Sequence, residues 1–169
     1  MANPTSDAAV TEGTTMELQG DRELVITRTF NARPQMVFDA WTRPELVRRW
    51  WAPRSHGVSL SACDADVRPG GAYRYVMHRD GEPEMAFSGT YTEVTPPSRL
   101  VYTQVFEPMH DAGAVVVTVT FHEHEGRTRM VSHEVYPSAQ ARAAALSAGM
   151  EHGMRETMDQ LDELVASLG

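Results

Sequence analysis

The stretch LSAGMEHGMRETMDQLDELVASLG, residues 146–169, decides the fold, because its apolar side chains recur every three or four positions. Such spacing is typical of one apolar face on a long helix. The members of this face are Leu146, Met150, Met154, Met158, Leu161, Val165 and Leu168. Gly149 and Gly153 would each cost about 1 kcal/mol inside a helix relative to Ala. We therefore predict a short helix over 139–147, a break, and then the long helix.

The chain before this helix consists of short segments in which apolar and polar residues alternate, with Pro and Gly between them. This pattern indicates antiparallel strands. About seven strands are predicted, over 23–30, 58–67, 72–79, 85–94, 99–107, 115–122 and 128–136. Pro34 and Pro44 each begin a short helix after the first strand. The prediction is an α+β fold whose functional site lies between the sheet and the long C-terminal helix.

Length and composition set the domain organisation. A chain of 169 residues, 41% of them hydrophobic, is long enough for one domain with a sizeable core. Residues 1–20 are polar, carry no periodicity, and are predicted to form a mobile extension, so that the domain covers 21–169. No segment predicts a membrane span or a signal peptide, and we expect a cytoplasmic protein.

Charge and residue usage exclude several classes of function. The net charge of -8 argues against a nucleic-acid partner, since phosphate binding needs clustered positive charge. All 15 basic residues are arginine, which excludes Schiff-base catalysis and a phosphate loop that depends on lysine. The single cysteine, Cys63, lies in a predicted strand without a catalytic signature and is interpreted as structural.

Four segments also carry a resemblance to a known family. They are FNARPQMVFDAWTRPELVRRWWAP (30–53), DVRPGGAYRYVMHRDG (66–81), GTYTEVTPPSRLVYT (89–103) and GMEHGMRETMDQLDELV (149–165). In this order they resemble the bacterial branch of the SRPBCC (START-like) superfamily that is named after the activator of the heat-shock-protein-90 ATPase. The resemblance covers about residues 23–166. Met154 departs from the pattern, because many relatives carry Trp there, and the smaller side chain implies a roomier cavity.

The resemblance implies a helix-grip fold, in which a curved antiparallel sheet wraps the C-terminal helix and encloses a cavity. It implies binding of a small apolar or amphipathic molecule, with two alternatives: a cyclase or dehydratase that uses the same cavity, and a protein-interaction module such as a co-chaperone. The eukaryotic namesake stimulates a chaperone ATPase, but that role requires a second domain. An open sheet edge and exposed apolar residues near Trp50 and Trp51 favour a homodimer.

The predicted ligand-binding residues are those that the alternation and the helix periodicity direct into the cavity. They are Arg28, Trp50, Trp51, Tyr75, Met77, Phe87, Tyr102, Gln104, Phe106, Glu134, Met150, Met154 and Met158. Arg28 and Glu134 fall on apolar faces of the first and last strands, which are neighbours in a helix-grip sheet, and we expect them to meet as an ion pair. This pair either is structural or holds the polar end of the ligand. The two tryptophan rings are expected either to form a lid over the ligand or to divide their roles, one sealing the core and the other covering the cavity mouth.

No catalytic residue, metal ligand or cofactor site is predicted. His122, His124 and His133 are close in sequence, but we expect His122 and His124 to face solvent, and His122 to lie opposite the cation Arg129. No nucleophile elbow is present. For the enzyme alternative, the candidate acids and bases are Glu134, Tyr75 and His152.

Overall fold

The computed structural model describes residues 13–168, which form an open antiparallel sheet of eight strands with helices packed against it. The strands are β1 (Thr15–Gln19), β2 (Glu23–Phe30), β3 (Ser59–Ala65), β4 (Ala72–His78), β5 (Met85–Thr95), β6 (Arg99–Phe106), β7 (Val115–His124) and β8 (Arg127–Val135). Their spatial order is β1-β2-β8-β7-β6-β5-β4-β3. The first and last strands of the predicted set, now β2 and β8, are neighbours as expected. The predicted α+β helix-grip fold is confirmed.

Four helices accompany the sheet. They are α1 (Pro34–Thr42), α2 (Pro44–Val47), α3 (Ala139–Ser147) and α4 (Met150–Leu168), with 3-10 turns at Arg54–His56 and Glu107–Ala112. Gly149 separates α3 from α4 with a φ of 84°, in the left-handed region that favours glycine. The predicted break is therefore at this glycine, whereas Gly153 lies within α4. No helix within residues 13–168 has both the length and the apolar character needed to cross a membrane.

The structure changes the predicted N-terminal boundary. Residues 15–19, which were predicted as part of a mobile extension, form the edge strand β1 and pair with β2 from Thr15↔Thr27 to Gln19↔Glu23. The sheet therefore has eight strands rather than about seven. Met16 and Leu18 of this strand alternate with polar residues, but Leu18 is exposed and only Met16 is partly buried. The strand therefore depends mainly on backbone pairing with β2. The rest of the predicted extension, residues 1–12, lies outside the described residues.

Helix α4 packs against the sheet unevenly along its length. Its second half is buried through Leu161, Leu164 and Val165, whereas Met150 and Met154 in its first half are only partly buried. The predicted stripe is thus correct through most of the helix, but its last member, Leu168, is exposed. Leu164, outside that stripe, is buried in the same core cluster, so the buried face of α4 is wider than the strict spacing indicates.

A buried amide attaches α4 to the segment after α2. The Nε2 atom of Gln160 donates to the carbonyl oxygens of Trp50 (2.9 Å) and Ala52 (2.8 Å). The Oε1 atom of Gln160 accepts from the backbone N–H of Arg54 at 2.9 Å. Because a buried amide without partners would destabilise the fold, these three hydrogen bonds satisfy Gln160 and hold residues 50–54 against the helix.

The predicted ion pair between Arg28 and Glu134 is wrong. Both residues lie on the same face of neighbouring strands, but Arg28 is opposite Met130 in the register. Glu134 is four residues further along β8, about 13 Å away at the rise of an extended strand. Arg28 instead reaches α4, where its guanidinium lies 2.7 Å from Asp159 and 3.3 Å from Asp162.

We expect the double variant D159N/D162N to lose about 2 kcal/mol of unfolding free energy, because the Arg28 side chain is 10% exposed and would lose both of its counter-charges, keeping only neutral hydrogen-bond acceptors. This figure is below the usual cost of breaking a buried pair because both carboxylates are largely exposed. Urea denaturation measures the loss. The matched control is E163Q, which removes an exposed carboxylate from the same helix. Equal stability of the double variant and the control would contradict the role given to Arg28.

Candidate functional site

A partly open cavity of about 340 Å³ lies between the sheet and the first half of α4. Its walls come from β2 and β4 to β8, from α4, and from the segment that joins α2 to β3. The volume is at the small end of the range for small-molecule sites. The cavity lies beside the less buried part of α4, where Met150 and Met154 are partly buried, whereas Met158 and Leu161 are buried.

Eleven of the predicted ligand-binding residues line this cavity. They are Trp50, Trp51, Met77, Phe87, Tyr102, Gln104, Phe106, Glu134, Met150, Met154 and Met158. Tyr75 lies beside it, in a crevice of about 10 Å³ that shares Trp41, Trp51, Tyr102 and Gln104 with the cavity. Arg28 is not part of the lining, because its guanidinium is engaged with Asp159 and Asp162.

Sequence reasoning missed ten further residues of the lining. They are Ile26, Trp41, Pro53, Val115, Met130, Ser132, Tyr136, Ala145, Gly153 and Thr157. The strand alternation that selected Glu134 also directs Ser132 and Met130 inward, so this signal was available. No local pattern pointed to Trp41 or Pro53, because they enter the lining only through the packing of α1 and of the segment that Gln160 holds.

The two adjacent tryptophans have different roles. Trp50 is buried, and its indole Nε1 donates to the carbonyl oxygen of Ala40 at 2.8 Å. Trp51 is partly buried and its ring lies edge-on to Tyr75 and Phe87, with centroid distances of 5.1 and 5.0 Å. Trp50 thus seals the core with one edge on the cavity, whereas Trp51 forms the aromatic wall. Edge-on packing of this kind stabilises the ring positions.

The polar side of the cavity is centred on Glu134. Tyr102, Val117 and Glu134 are opposite one another on β6, β7 and β8, and Ser132 precedes Glu134 on the same face. The hydroxyl of Tyr136 donates to the Oε1 atom of Glu134 at 3.2 Å. Within residues 13–168, Glu134 has no ion-pair partner among the arginine and histidine side chains.

Burial raises the pKa of the Glu134 carboxyl to about 7, although the Tyr136 hydroxyl and the nearby His133 act in the opposite direction. Burial also raises the pKa of the Tyr102 hydroxyl, with smaller contributions from Tyr73 and Glu134. Tyr102 and Tyr136 are therefore neutral hydrogen-bonding groups at physiological pH. Glu134 is the group of the cavity wall that changes charge near neutral pH.

The cavity wall also contains a buried hydrogen-bond donor that has no acceptor within the described residues, the indole N–H of Trp41. Among residues 13–168, the indole Nε1 of Trp41 is the buried side-chain nitrogen or oxygen without a hydrogen-bond partner. Its ring lies against Trp50, at a centroid distance of 4.9 Å, and lines both the cavity and the adjoining crevice. An unpaired buried donor is unfavourable, so an acceptor atom supplied from the cavity side would stabilise it.

Other reactive side chains lie away from the cavity. Burial raises the pKa of the Cys63 thiol to about 11, which keeps it protonated, and its Sγ donates to the carbonyl oxygen of Pro44 at 3.6 Å. His122 and His124 are exposed, and His122 lies opposite Arg129, as predicted. His133 pairs with Glu23 at 2.7 Å. These three histidines do not converge.

Comparisons with known proteins agree with this architecture. A protein from Rhodobacter sphaeroides is 25% identical with a TM-score of 0.83, and the match covers 91% of this chain and 99% of that one. A protein from Mycobacterium smegmatis is 28% identical with a TM-score of 0.79, covering 90% and 96%. One from Staphylococcus epidermidis is 27% identical with a TM-score of 0.78, covering 92% and 95%. No curated protein matches the chain.

The family comparison covers both the sheet and the C-terminal helix. Residues 31–166 match the family described as Activator of Hsp90 ATPase homolog 1-like protein. This span includes almost every residue of the cavity wall, from Trp41 to Met158. The resemblance carried by the four sequence segments is therefore confirmed, and the chain belongs to the Activator of Hsp90 ATPase homolog 1-like family.

Proposed function

We propose that this protein binds one small amphipathic molecule in the cavity between the sheet and α4. The observation that carries this proposal is an apolar cavity of about 340 Å³ with a carboxyl group on its wall that has no cation beside it. A largely preformed apolar cavity with few convergent polar groups is typical of a small-molecule site. Membership of the family is consistent with this function.

The apolar part of the cavity suits a flexible or irregular hydrocarbon body. Met150, Met154 and Met158 face it from α4, and Phe87 and Phe106 from the sheet, with their ring centroids 4.9 Å apart. Methionine side chains are unbranched and polarizable, so they adapt to ligands of different shape. Burial of the ligand's apolar surface would supply most of the binding free energy, at roughly 25 cal/mol per Å².

The polar side determines the chemical class of the ligand. A buried carboxylate without a cation is unfavourable, and a ligand that brings a positively charged amine would supply the missing partner. A hydroxyl donor would satisfy the same oxygen less strongly, since hydrogen bonds between charged groups are stronger than neutral ones. We infer that the preferred ligand has an apolar body and a primary amine, placed against Glu134.

A second candidate function is supported by one observation. A carboxyl group with a pKa of about 7 on the wall of an apolar cavity is suited to general acid or base catalysis. Of the other predicted candidates for catalysis, Tyr75 has its pKa raised by burial and lies in the adjoining crevice, and His152 is exposed. A cyclase or dehydratase activity would therefore depend on Glu134.

The third candidate, a protein-interaction module, has less support. The large exposed hydrophobic residues among those described are Leu18, Met109, Val116 and Leu168. Leu18 pairs with Leu24 and Val116 with Val135, which places them on opposite faces of the sheet. A contiguous patch outside the cavity is what such a module needs. Exposed apolar residues were also expected near Trp50 and Trp51, but none of these four residues belongs to that segment. The homodimer stays a prediction, supported by the open sheet edges.

Ligand binding can be tested with three medium-chain probes of equal length, an alkyl amine, an alkyl alcohol and an alkyl carboxylate, titrated calorimetrically at pH 8. We expect the amine to bind at least about tenfold tighter than the alcohol, corresponding to about 1.4 kcal/mol, and the carboxylate to bind weakest. The variant E134Q should remove the preference for the amine and keep binding of the alcohol. Native mass spectrometry of protein from its own source gives an independent readout.

Three outcomes would lead to different conclusions about the ligand class and about the function of the cavity. Equal affinity for the amine and the alcohol, in the parent and in E134Q, would reject the amine while leaving the cavity as a binding site. Failure of all three probes to bind, together with no copurifying molecule, would reject ligand binding altogether. Consumption of a copurifying molecule that E134Q abolishes would establish the enzyme instead.

Replacing Met154 by Trp should reduce the cavity, because the larger ring replaces a side chain that lines it. We expect M154W to weaken binding of a fluorescent apolar probe by at least about tenfold, since overpacking typically costs 1–3 kcal/mol. The matched control is L168W, which places the same ring at an exposed position near the end of α4. Unchanged affinity of M154W would show that the probe binds elsewhere.

Glu134 also predicts a dependence of stability on pH. The pKa of its carboxyl rises from 4.5 in the unfolded chain to about 7 in the fold, so the folded state binds the proton more tightly. The resulting stabilisation is fully present below pH 4.5 and is lost as the pH rises through 7. E134Q should therefore raise the unfolding free energy at pH 8 by up to about 3 kcal/mol and change it little at pH 5. A variant that is equally destabilised at both values would contradict this.

A further inference from the structure

A cluster of two histidines and one glutamate lies at the rim of the cavity, outside its lining. His56 ends the 3-10 turn Arg54–His56, and His152 and Glu156 lie one turn apart in α4. One ring nitrogen of each histidine and one carboxylate oxygen all lie within 4.8 Å of one another. The imidazole rings of His56 and His152 are stacked with a centroid distance of 5.6 Å and an interplanar angle of 28°.

The contacts behind the cluster hold its members in place. The backbone N–H of Ser55 donates to the Oε2 atom of Glu156 at 2.7 Å, and the Ser55 hydroxyl donates to its Oε1 atom at 2.5 Å. The neighbouring Arg54 is fixed to α4 through Gln160 and Glu163. The carboxylate is thus oriented by its outer partners, which is the usual arrangement of a ligating carboxylate.

Both imidazoles are available for coordination. Within residues 13–168, the side chains of His56 and His152 form no hydrogen bond or ion pair, whereas those of His78, His110, His124 and His133 each lie beside a carboxylate. The nearby cations are neutralised, since Arg54 pairs with Glu163 and Arg155 with Glu151. The surroundings therefore do not repel a divalent cation.

We propose that His56, His152 and Glu156 bind one Zn²⁺ ion. Two imidazole nitrogens and one carboxylate oxygen form a donor set that zinc uses in proteins, and His152 and Glu156 have the one-turn spacing that places both ligands on the same face of a helix. In a tetrahedral site with bonds near 2.1 Å the ligand atoms are roughly 3.4 Å apart. Zinc binding would bring these atoms from within 4.8 Å of one another to this spacing by rotation of the exposed histidine side chains.

The site would connect two elements at the entrance of the cavity. Pro53, three residues before His56, and Gly153, directly after His152, both line the cavity. An ion held by the three side chains would fasten the 3-10 turn to α4 at this place. Three protein ligands leave at least one coordination position for water or for a ligand atom. Local sequence spacing did not indicate the site, because 96 residues separate His56 from His152.

Untagged full-length protein, stripped with a chelator and titrated with Zn²⁺ against a chromophoric competitor at pH 7.5, tests the proposal. We expect one equivalent to bind, and H56A, H152A and E156Q to weaken binding by at least about tenfold each. Zn²⁺ should raise the melting temperature of the parent through linkage and leave that of H56A/H152A unchanged. Mg²⁺, which prefers oxygen ligands, should not bind.

Three further variants test whether zinc binding is specific to this cluster. H122A removes an exposed histidine that is not part of the cluster and should leave zinc affinity unchanged. S55A removes the hydroxyl that orients Glu156 and should weaken zinc binding about tenfold while leaving the ligands in place. E134Q should not alter zinc binding, which separates this proposal from the proposed function of the cavity. Less than half an equivalent bound, or equal affinity in the parent and H56A/H152A, would overturn it.

Discussion

The packing of α4 against the sheet is tight in its second half and open in its first, and the other features of the molecule depend on this difference. Leu161 and Val165 are almost completely buried, whereas Met150 and Met154 keep part of their surface. A helix is too rigid to bend into the sheet without a kink. Contact at one end therefore leaves space at the other, and this space is the cavity of about 340 Å³.

Arg28 and Glu134, two ionisable residues on the inner face of the sheet, have different polar partners. Arg28 lies next to the tightly packed half of α4, where Asp159 and Asp162 reach it from the helix surface. Glu134 lies next to the open half, where Tyr136 is its hydrogen-bond donor. Because burial disfavours the charged carboxylate, the pKa of Glu134 rises to about 7. The position of α4 thus gives Arg28 two carboxylate partners and leaves Glu134 without an ion-pair partner among residues 13–168.

The segment between α2 and β3 links the cavity to the helix. Gln160 anchors it through the carbonyl oxygens of Trp50 and Ala52, and Glu156 anchors it through Ser55. These contacts place the ring of Trp51 on the cavity wall and bring His56 beside His152. A change in this segment would therefore affect the cavity wall and the histidine cluster together, since both are held by the same face of α4.

Local sequence patterns determined most of the helices and strands of this protein and which side chains of the strands face inward. The apolar spacing after Leu146 predicted α4, the helix cost of Gly149 and Gly153 predicted the break that separates it from α3, and the strand alternation placed Phe87, Phe106 and Glu134 on the cavity side. These features depend on residues a few positions apart, which the sequence shows directly. The strand prediction missed edge strand β1, which depends on pairing with β2.

Only the tertiary structure decided which distant residues meet. Strand register, set by the packing of the whole sheet, separated Arg28 from Glu134, although both lie on the face that alternation predicts. The approach of α4 supplied Asp159 to Arg28, across 131 positions of the chain. The same approach brought His56 to His152. Sequence alone could not fix these pairs, because side-chain partners across a fold depend on the relative placement of whole elements rather than on local spacing.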